Sequence, residues 1–524
     1  MTQALAPMAA SAWARRIVTA LAIVSAIAAC YATRQADPDL FGYLAYGRLF
    51  VQQGDPSPAD PFAFTSQGRR WISFEYLSQA LLWLAYERFG ALGLIALKCA
   101  LGGMALAFLF TAVRKASDDP VVWAPIFVFC AVTLARYFAF RPQLFTFVFF
   151  AMFVAAVFGH LIIGKARWWV LPLASLIWAN THGGFVAGLC ALALAIALVP
   201  CRQFNNGNTA RRTVVTSIRP LAFTLAACAV ASLINPHGVR LWSYVVTEIT
   251  HDTNRRYISE WRPASPGNDP WSFGAITILT IVLMGSGGIA QRHRLKVAGL
   301  HPWQWVAASV PIVGAAYLSV RNVPLAAIWL APVLTLLGSA MSRSTAVAAF
   351  RRLWLLVSVG AVVVVTLVLQ FIAAQPRPQI AMGGQAPGTQ YPCGAVAFLR
   401  LNALQGTVYN PLQWGSYLTW ELFPAVLVSM DGRNISLFSQ SMVSENLEFY
   451  SPAASQRDLD AVAIYRSDFL LVPTDRAVLG IVQADSRWSL IHADHAAQLF
   501  VRSDFTHGTL RIPSSAACPE VLVP

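Results

Sequence analysis

Apolar residues in this 524-residue chain gather into long uncharged runs, not into alternating or amphipathic stripes. The first, Ile17 to Thr33, is followed by further runs of roughly 20 residues, the length of a helix that crosses a bilayer. Eleven spans are predicted, at 17–33, 91–113, 120–139, 143–163, 168–180, 183–200, 213–234, 271–290, 302–319, 323–341 and 353–374. No small-residue cleavage site precedes Arg34, and many spans follow, so the first run reads as a retained helix, not a cleaved signal. Basic residues beside short loops orient the bundle. With the N-terminus inside, Arg15/Arg16, Arg114/Lys115, Lys165/Arg167, Arg202/Arg211/Arg212, Arg292/Arg294/Lys296 and Arg343/Arg351/Arg352 all face the cytoplasm. The expected location is a bacterial inner membrane, with the chain beyond the last span in the periplasm.

Two segments break the apolar pattern. The loop 34–90 opens a large outer region with two helix-like pieces that lie on the membrane surface. In the first, Asp37 suits an N-cap, Pro38 the first helical position and Gly54 the residue past the end. The second covers about 74–89 and ends at Gly90. The tail 376–524 reads as an α/β domain. Its short apolar strands "GTVYN", "AVLVSM" and "FLLVP" alternate with helical "CGAVAFLRLNAL" and "RDLDAVAIYR". The expected organisation is thus a transmembrane module at 1–375 and an extracytoplasmic α/β domain at 376–524.

Composition agrees with the pattern: 56% of residues are hydrophobic and 12% charged, which identifies a polytopic α-helical membrane protein. The net charge of +14 follows from orientation and anionic leaflets, and no nucleic-acid motif accompanies it. Six of the eight cysteines fall in or beside spans; Cys393 and Cys518 lie in the exported tail, where a disulfide between them is permitted. There is no CxxC or His/Cys cluster, so no metal ligand set is assigned.

The polar clusters add the chemistry. Asp37 and Asp39, Glu75, Arg136 with "FRPQ" (including Arg141), "NTHGG" (His182), "NPHG" with Arg240, "SEWRP" (Glu260 and Arg262) and "RN" (Arg321) all fall on the outer face. Charged groups at the edge of the hydrocarbon are expensive and usually face a cavity or a partner. Each also has a plain structural reading: the aspartates as helix caps, the arginines as headgroup contacts, the histidine as part of a turn. Their convergence on one face favours one polar pocket. An aspartate there can take a proton from a hydroxyl, and Arg141, Arg321, Arg240 and His182 can hold a phosphate.

The chain resembles bacterial membrane glycosyltransferases of the GT-C type, the polyprenyl-phosphate-sugar-dependent superfamily that includes mannosyl- and arabinosyltransferase-like membrane proteins. The resemblance rests on a single span followed by "DPDLFGYLAYGRLF" and "GDPSPADPFAFTSQGRRWISFEYLSQ". It continues in "WANTHGGFVAGL", "LINPHGVRLWSY", "ISEWRP" and "RNVPLAAIWLAP", and in "GTVYNPLQWGSYLTWELFP" and "VSMDGR" of the tail. It implies inverting sugar transfer outside the membrane from a polyprenyl-phosphate donor, with membrane lipid as surroundings. Asp39 or Asp37 then maps to the base, and a divalent metal stays possible. Pro38 separates two acids that are adjacent in some members, and Tyr43 stands near where others carry His. Two other readings are a transporter or flippase of lipid-linked glycans, and a non-catalytic partner in envelope assembly.

Overall fold

A computed structural model describes residues 5–31, 39–164, 166–205, 211–250, 258–342, 391–433, 436–463, 465–506 and 508–513. Asp37, Cys518 and the expected span 353–374 lie outside the described residues. The long apolar runs form helices, because within lipid a backbone must satisfy its own hydrogen bonds. They are α1 (Leu5–Tyr31), α3 (Tyr76–Ala116), α4 (Pro120–Ala135), α5 (Gln143–Ile163), α6 (Val170–Ala179), α7 (Phe185–Asn205) and α8 (Arg211–Ser232), followed by α10 (Pro270–Arg292), α11 (Pro302–Leu318) and α12 (Val323–Ser342). Among the described residues, six helices are long and apolar enough to cross a membrane. The stretch expected as a span at 168–180 is only ten helical residues, about 15 Å or half the hydrocarbon thickness, because the turn at Asn180–Gly184 ends it. α1 begins at Leu5, so Arg15 and Arg16 sit within the helix and not before it.

Two short helices lie outside these runs: α2 (Leu40–Gln53) and α9 (Val239–Thr250). α2 starts two residues later than its sequence suggests. Asp39 occupies its N-cap position, and Gly54 closes it in the left-handed conformation. α3 contains both the expected surface helix and the span after it, joined at Gly90, whose φ of 57° and ψ of −145° kink the axis. Glycine adopts that backbone without a Cβ penalty, so the helix turns there without ending.

The tail forms a five-stranded sheet in the order β2-β1-β3-β5-β4: β1 (Gly406–Tyr409), β2 (Val426–Val428), β3 (Phe469–Pro473), β4 (Trp488–Ala493) and β5 (Ala497–Arg502). β1 runs parallel to β2 and β3, while the β4–β5 hairpin is antiparallel. Helices α13 (Cys393–Leu401), α14 (Leu412–Leu422), α15 (Gln440–Phe449), α16 (Gln456–Ala463) and α17 (Val478–Ala484) complete it. Cys393 is disulfide-bonded.

The sheet is joined to the first loop by backbone, apolar packing and charge together. Ala63 pairs with Val428 in a parallel bridge: Phe64 N–H donates to Val428 O at 3.0 Å, and Val428 N–H to Phe62 O at 3.2 Å. Leu40, Phe41 and Leu44 of α2, with Phe62 and Trp71, share one apolar cluster with Trp414, Tyr417, Val428 and Leu499. At the seam Arg433 is buried between two acids, 2.8 Å from Asp60 Oδ1 and 2.7 Å from Asp431 Oδ2. Its guanidinium faces the rings of Trp71 at 4.6 Å and Tyr46 at 4.8 Å. Asp60 also accepts hydrogen bonds from Ser66 Oγ at 2.6 Å and Phe62 N–H at 3.0 Å, so its oxygens are saturated.

Removing the cation alone strands two buried carboxylates. Arg433→Met is expected to cost about 3–5 kcal/mol in unfolding of the purified protein in detergent. Adding Asp60→Asn should recover part of that loss. Equal stability of Arg433→Met and the unaltered protein would refute the clamp.

Candidate active site

The starts of α3, α5 and α12 and the end of α6 meet the first loop, α9 and the tail around an open cavity of about 930 Å³. Short hydrogen bonds fix each wall to the next. The start of α3 is latched to the Asn180–Gly184 turn: Tyr76 Oη–H donates to Asn180 Oδ1 at 2.8 Å, and Ser78 Oγ–H to Thr181 O at 2.8 Å. This holds Glu75 beside His182. The Ser259–Trp261 turn is latched to the start of α12 by Val320 N–H to Arg262 O at 3.1 Å and Ser319 Oγ–H to Glu260 O at 3.0 Å. This holds Glu260 and Trp261 beside Arg321.

Asp39 stands at the N-cap position of α2, yet its side chain makes no cap hydrogen bond. Its carboxylate turns into the cavity, with Oδ2 3.5 Å from Arg141 Nη2. Arg141 also pairs closely with Glu260 through Nη1. On the opposite side Gly432 lies flush against the acid: a Cβ built there would sit 2.5 Å from Asp39 Oδ1. The tail therefore forms one wall of the cavity, a contribution that only "MDGR" hinted at in the sequence.

His182 Nδ1 receives the Gly184 N–H at 3.0 Å and lies 2.8 Å from Thr146 Oγ1, which itself accepts the Trp178 indole N–H. Nε2 faces Glu75 Oε1 at 3.7 Å and Arg321 Nη2 at 3.1 Å. Burial, then Arg321 and Arg141, hold the imidazole well below its usual pKa, so it is neutral. Glu75 is displaced the other way: burial pushes its carboxyl up to about 8, with Arg321 opposing and Asp39 adding. Burial acts to raise Glu260 as well, but Arg141 and Arg321 outweigh it and hold it below the ordinary range. The cavity thus sets a carboxylate, Glu260, held down by Arg141 and Arg321, against a protonated carboxyl, Glu75, beside a neutral histidine.

Arg321 differs from the other cavity cations. Its guanidinium lies 4.9 Å from the Trp261 ring centre, and among the described residues no carboxylate lies within ion-pair distance of it. It is positioned by stacking on Trp261 and by the contact of its Nη2 with His182 Nε2.

Of the residues singled out in the sequence, Asp39, Glu75, Arg141, His182, Glu260 and Arg321 line this cavity. Arg240 does not: it is exposed in the first turn of α9, one turn before the cavity-facing Tyr244. Arg262 does not either: the turn gives its carbonyl to Val320 and leaves the side chain exposed. Arg136 pairs with Asp269 at 3.2 Å, away from the site. Tyr244 and Glu248 on α9 were missed, although the strongly amphipathic "VRLWSYVVTEIT" carries an acid one turn after a tyrosine. A second chamber of about 830 Å³ shares His182, Tyr244 and Arg321 and is more apolar, lined by Val245, Ile249 and Leu325. Among the described residues no three His, Cys, Asp or Glu side chains cluster as a cation site requires.

A helical bundle with a large structured first loop, packed against a tail that closes a cavity over that loop's acid, is a fold this chain shares with solved structures. No family model and no curated protein matches the sequence. Among solved structures, ArnT from Cupriavidus metallidurans in the apo state aligns with a TM-score of 0.52 at 13% identity, over 94% of this chain and 98% of that one. The archaeal oligosaccharyltransferase AglB from Archaeoglobus fulgidus, in complex with an inhibitory peptide and a dolichol-phosphate, aligns at 0.54 and 11% identity, over 87% of this chain and 69% of that one. The arabinofuranosyltransferase AftD from Mycobacteria aligns at 0.52 and 13% identity over 94% of this chain, which spans 42% of AftD. The likeness is one of fold.

The raised Glu75 gives a pH signature. The folded protein keeps this carboxyl protonated up to about 8, whereas the unfolded chain ionises it near its ordinary 4.5. The native state therefore holds one extra proton across that window, and its stability falls as pH rises through it. Glu75→Gln is expected to flatten that dependence in thermal unfolding between pH 5 and 8; an unchanged slope would refute the assignment.

Proposed function

We propose that this chain is an inverting membrane glycosyltransferase. It moves a sugar from a polyprenyl-phosphate carrier onto a hydroxyl of a lipid, glycan or protein acceptor. The observation that carries this reading is a carboxylate, Asp39, turned away from helix capping and into the same cavity as a guanidinium, Arg321, that has no carboxylate contact among the described residues. A base and a phosphate-sized anion site then share one open space. The dolichol-phosphate bound to AglB supports a lipid phosphate as the donor's carrier. The six bilayer-length helices support a membrane setting. The basic flanks support a bacterial inner membrane with the N-terminus in the cytoplasm and 376–524, read as a separate domain, in the periplasm.

In this mechanism Asp39 accepts the proton of the acceptor hydroxyl as its oxygen attacks the anomeric carbon. The bond from that carbon to the phosphate oxygen breaks, and the phosphate leaves with the electron pair. Arg321 takes the developing charge on the phosphate. Arg141, shared between Asp39 and Glu260, orients the Asp39 carboxylate. The protonated Glu75 donates a hydrogen bond to a substrate oxygen. Asp37 lies outside the described residues and stays the second candidate for the base.

Because the Asp39 side chain caps nothing, Asp39→Asn leaves α2 intact while removing the base. It is expected to lower sugar transfer in reconstituted membranes by about 10²–10⁴-fold, with thermal stability and bound polyprenyl lipid, read by mass spectrometry, retained. Full transfer by this variant would sink the assignment. Gly432→Ala should act similarly by pushing the carboxylate aside.

A further inference from the structure

We propose that the end of the bundle opposite the cavity carries a second binding site, for the phosphate headgroup of an anionic phospholipid. Beyond Gly90, α3 continues to Ala116, about 39 Å at helical rise. Arg114 therefore lies about a membrane's thickness from the Gly90 kink. There α1, the end of α3 and the start of α4 enclose an open groove of about 980 Å³. Arg15, Arg16 and Arg114 contribute to its lining, and Ile23, Phe110 and Trp123 supply apolar surface.

Three features fit a lipid headgroup. The charge balance is cationic: the one carboxylate lining the groove, Asp118, has a 94% exposed side chain and pairs with Arg114 Nη2 at 3.5 Å, a weak surface pair, while Arg114 Nη1–H donates to Asp118 O at 2.8 Å. The neighbouring Asp119 is occupied in capping α4, where it accepts the Val121 N–H at 3.2 Å. Lys115 is turned away, donating to Ala155 O at 3.0 Å. Second, Trp123 is wholly buried, and its indole N–H has no hydrogen-bond partner among the described residues. A buried donor is seldom left unmet in a folded chain, and an ester or phosphate oxygen in the groove would satisfy it. Third, the groove continues into an exposed apolar stripe on α1. Ala20, Ile23, Val24 and Ile27 fall at i, i+3, i+4 and i+7, one face of the helix, with Ile23, Val24 and Ile27 at 42%, 56% and 66% exposure. An acyl chain would lie there while its phosphate rests among the arginines. A soluble phosphate would leave that stripe unused. In the topology proposed for the chain, this end is the cytoplasmic one, where the anionic leaflet lies.

The test is lipid retention by the full chain, read by native mass spectrometry and by titration in detergent, and it does not depend on sugar transfer. Phosphatidylglycerol is expected to bind more tightly than phosphatidylcholine. Arg114→Gln should weaken it about fivefold, and removal of all three arginines about a hundredfold. Arg15 and Arg16 also help to orient α1, so Arg114→Gln and Trp123→Phe, which leave that helix unchanged, are the deciding single variants. Trp123→Phe keeps the ring and loses only the N–H, and should weaken phosphatidylglycerol measurably. Equal retention of phosphatidylcholine, or unchanged phosphatidylglycerol binding in both single variants, would overturn the site. Displacement of phosphatidylglycerol by millimolar glycerol 3-phosphate would overturn the lipid assignment in favour of a soluble phosphate.

Discussion

A single buried guanidinium governs how this molecule is put together. Arg433 sits between Asp60 of the first loop and Asp431 of the tail, over the rings of Trp71 and Tyr46. A charge in that position is tolerated only if both carboxylates and the ring faces arrive together. The clamp thereby fixes the register of the Ala63–Val428 bridge and the depth at which Gly432 approaches Asp39. The geometry of the acid depends on a contact made by a residue one position along from that glycine. This couples stability to chemistry: a loosened clamp widens the cavity before it unfolds the chain.

Within the cavity, like groups are driven apart by their surroundings. Asp39 and Glu260 share Arg141, whereas Glu75 lies at the start of α3 against a histidine that cannot readily protonate. A carboxylate that accepts a proton and a carboxyl that donates a hydrogen bond can then coexist at one pH. The cations divide in the same way. Arg141 is committed to acids, while Arg321 is held by Trp261 and His182.

Much of this was legible in the sequence because membrane helices announce themselves by composition. The expected span 143–163 matches its helix, and the parallel strands of the tail were readable from short apolar runs. Boundaries failed where local signals competed. Asp37-Pro38 reads as a helix start, yet α2 begins after Asp39. Six of the singled-out polar residues do converge, but Arg240 and Arg262 do not, because a charge count fixes which face of the membrane a residue is on and not which way its side chain points. Tyr244 and Glu248 were hidden in an ordinary amphipathic helix. The apposition of Gly432 and Asp39 depends on a contact nearly 400 residues long, which no local pattern encodes.

That separation also imposes a timetable. Asp60 and Arg433 are 373 positions apart (433 minus 60), so at about 5–20 residues per second the loop waits roughly 20–75 s for its partner during synthesis. Throughout that interval Asp60 has no guanidinium, and the aromatic faces of Tyr46 and Trp71 have nothing to cover them. The nascent protein therefore carries Asp39 through that interval with its cavity unwalled. A chain cut short anywhere before the clamp is a membrane protein without an enclosed site, and quality control would meet it as an exposed aromatic loop beside a lone acid.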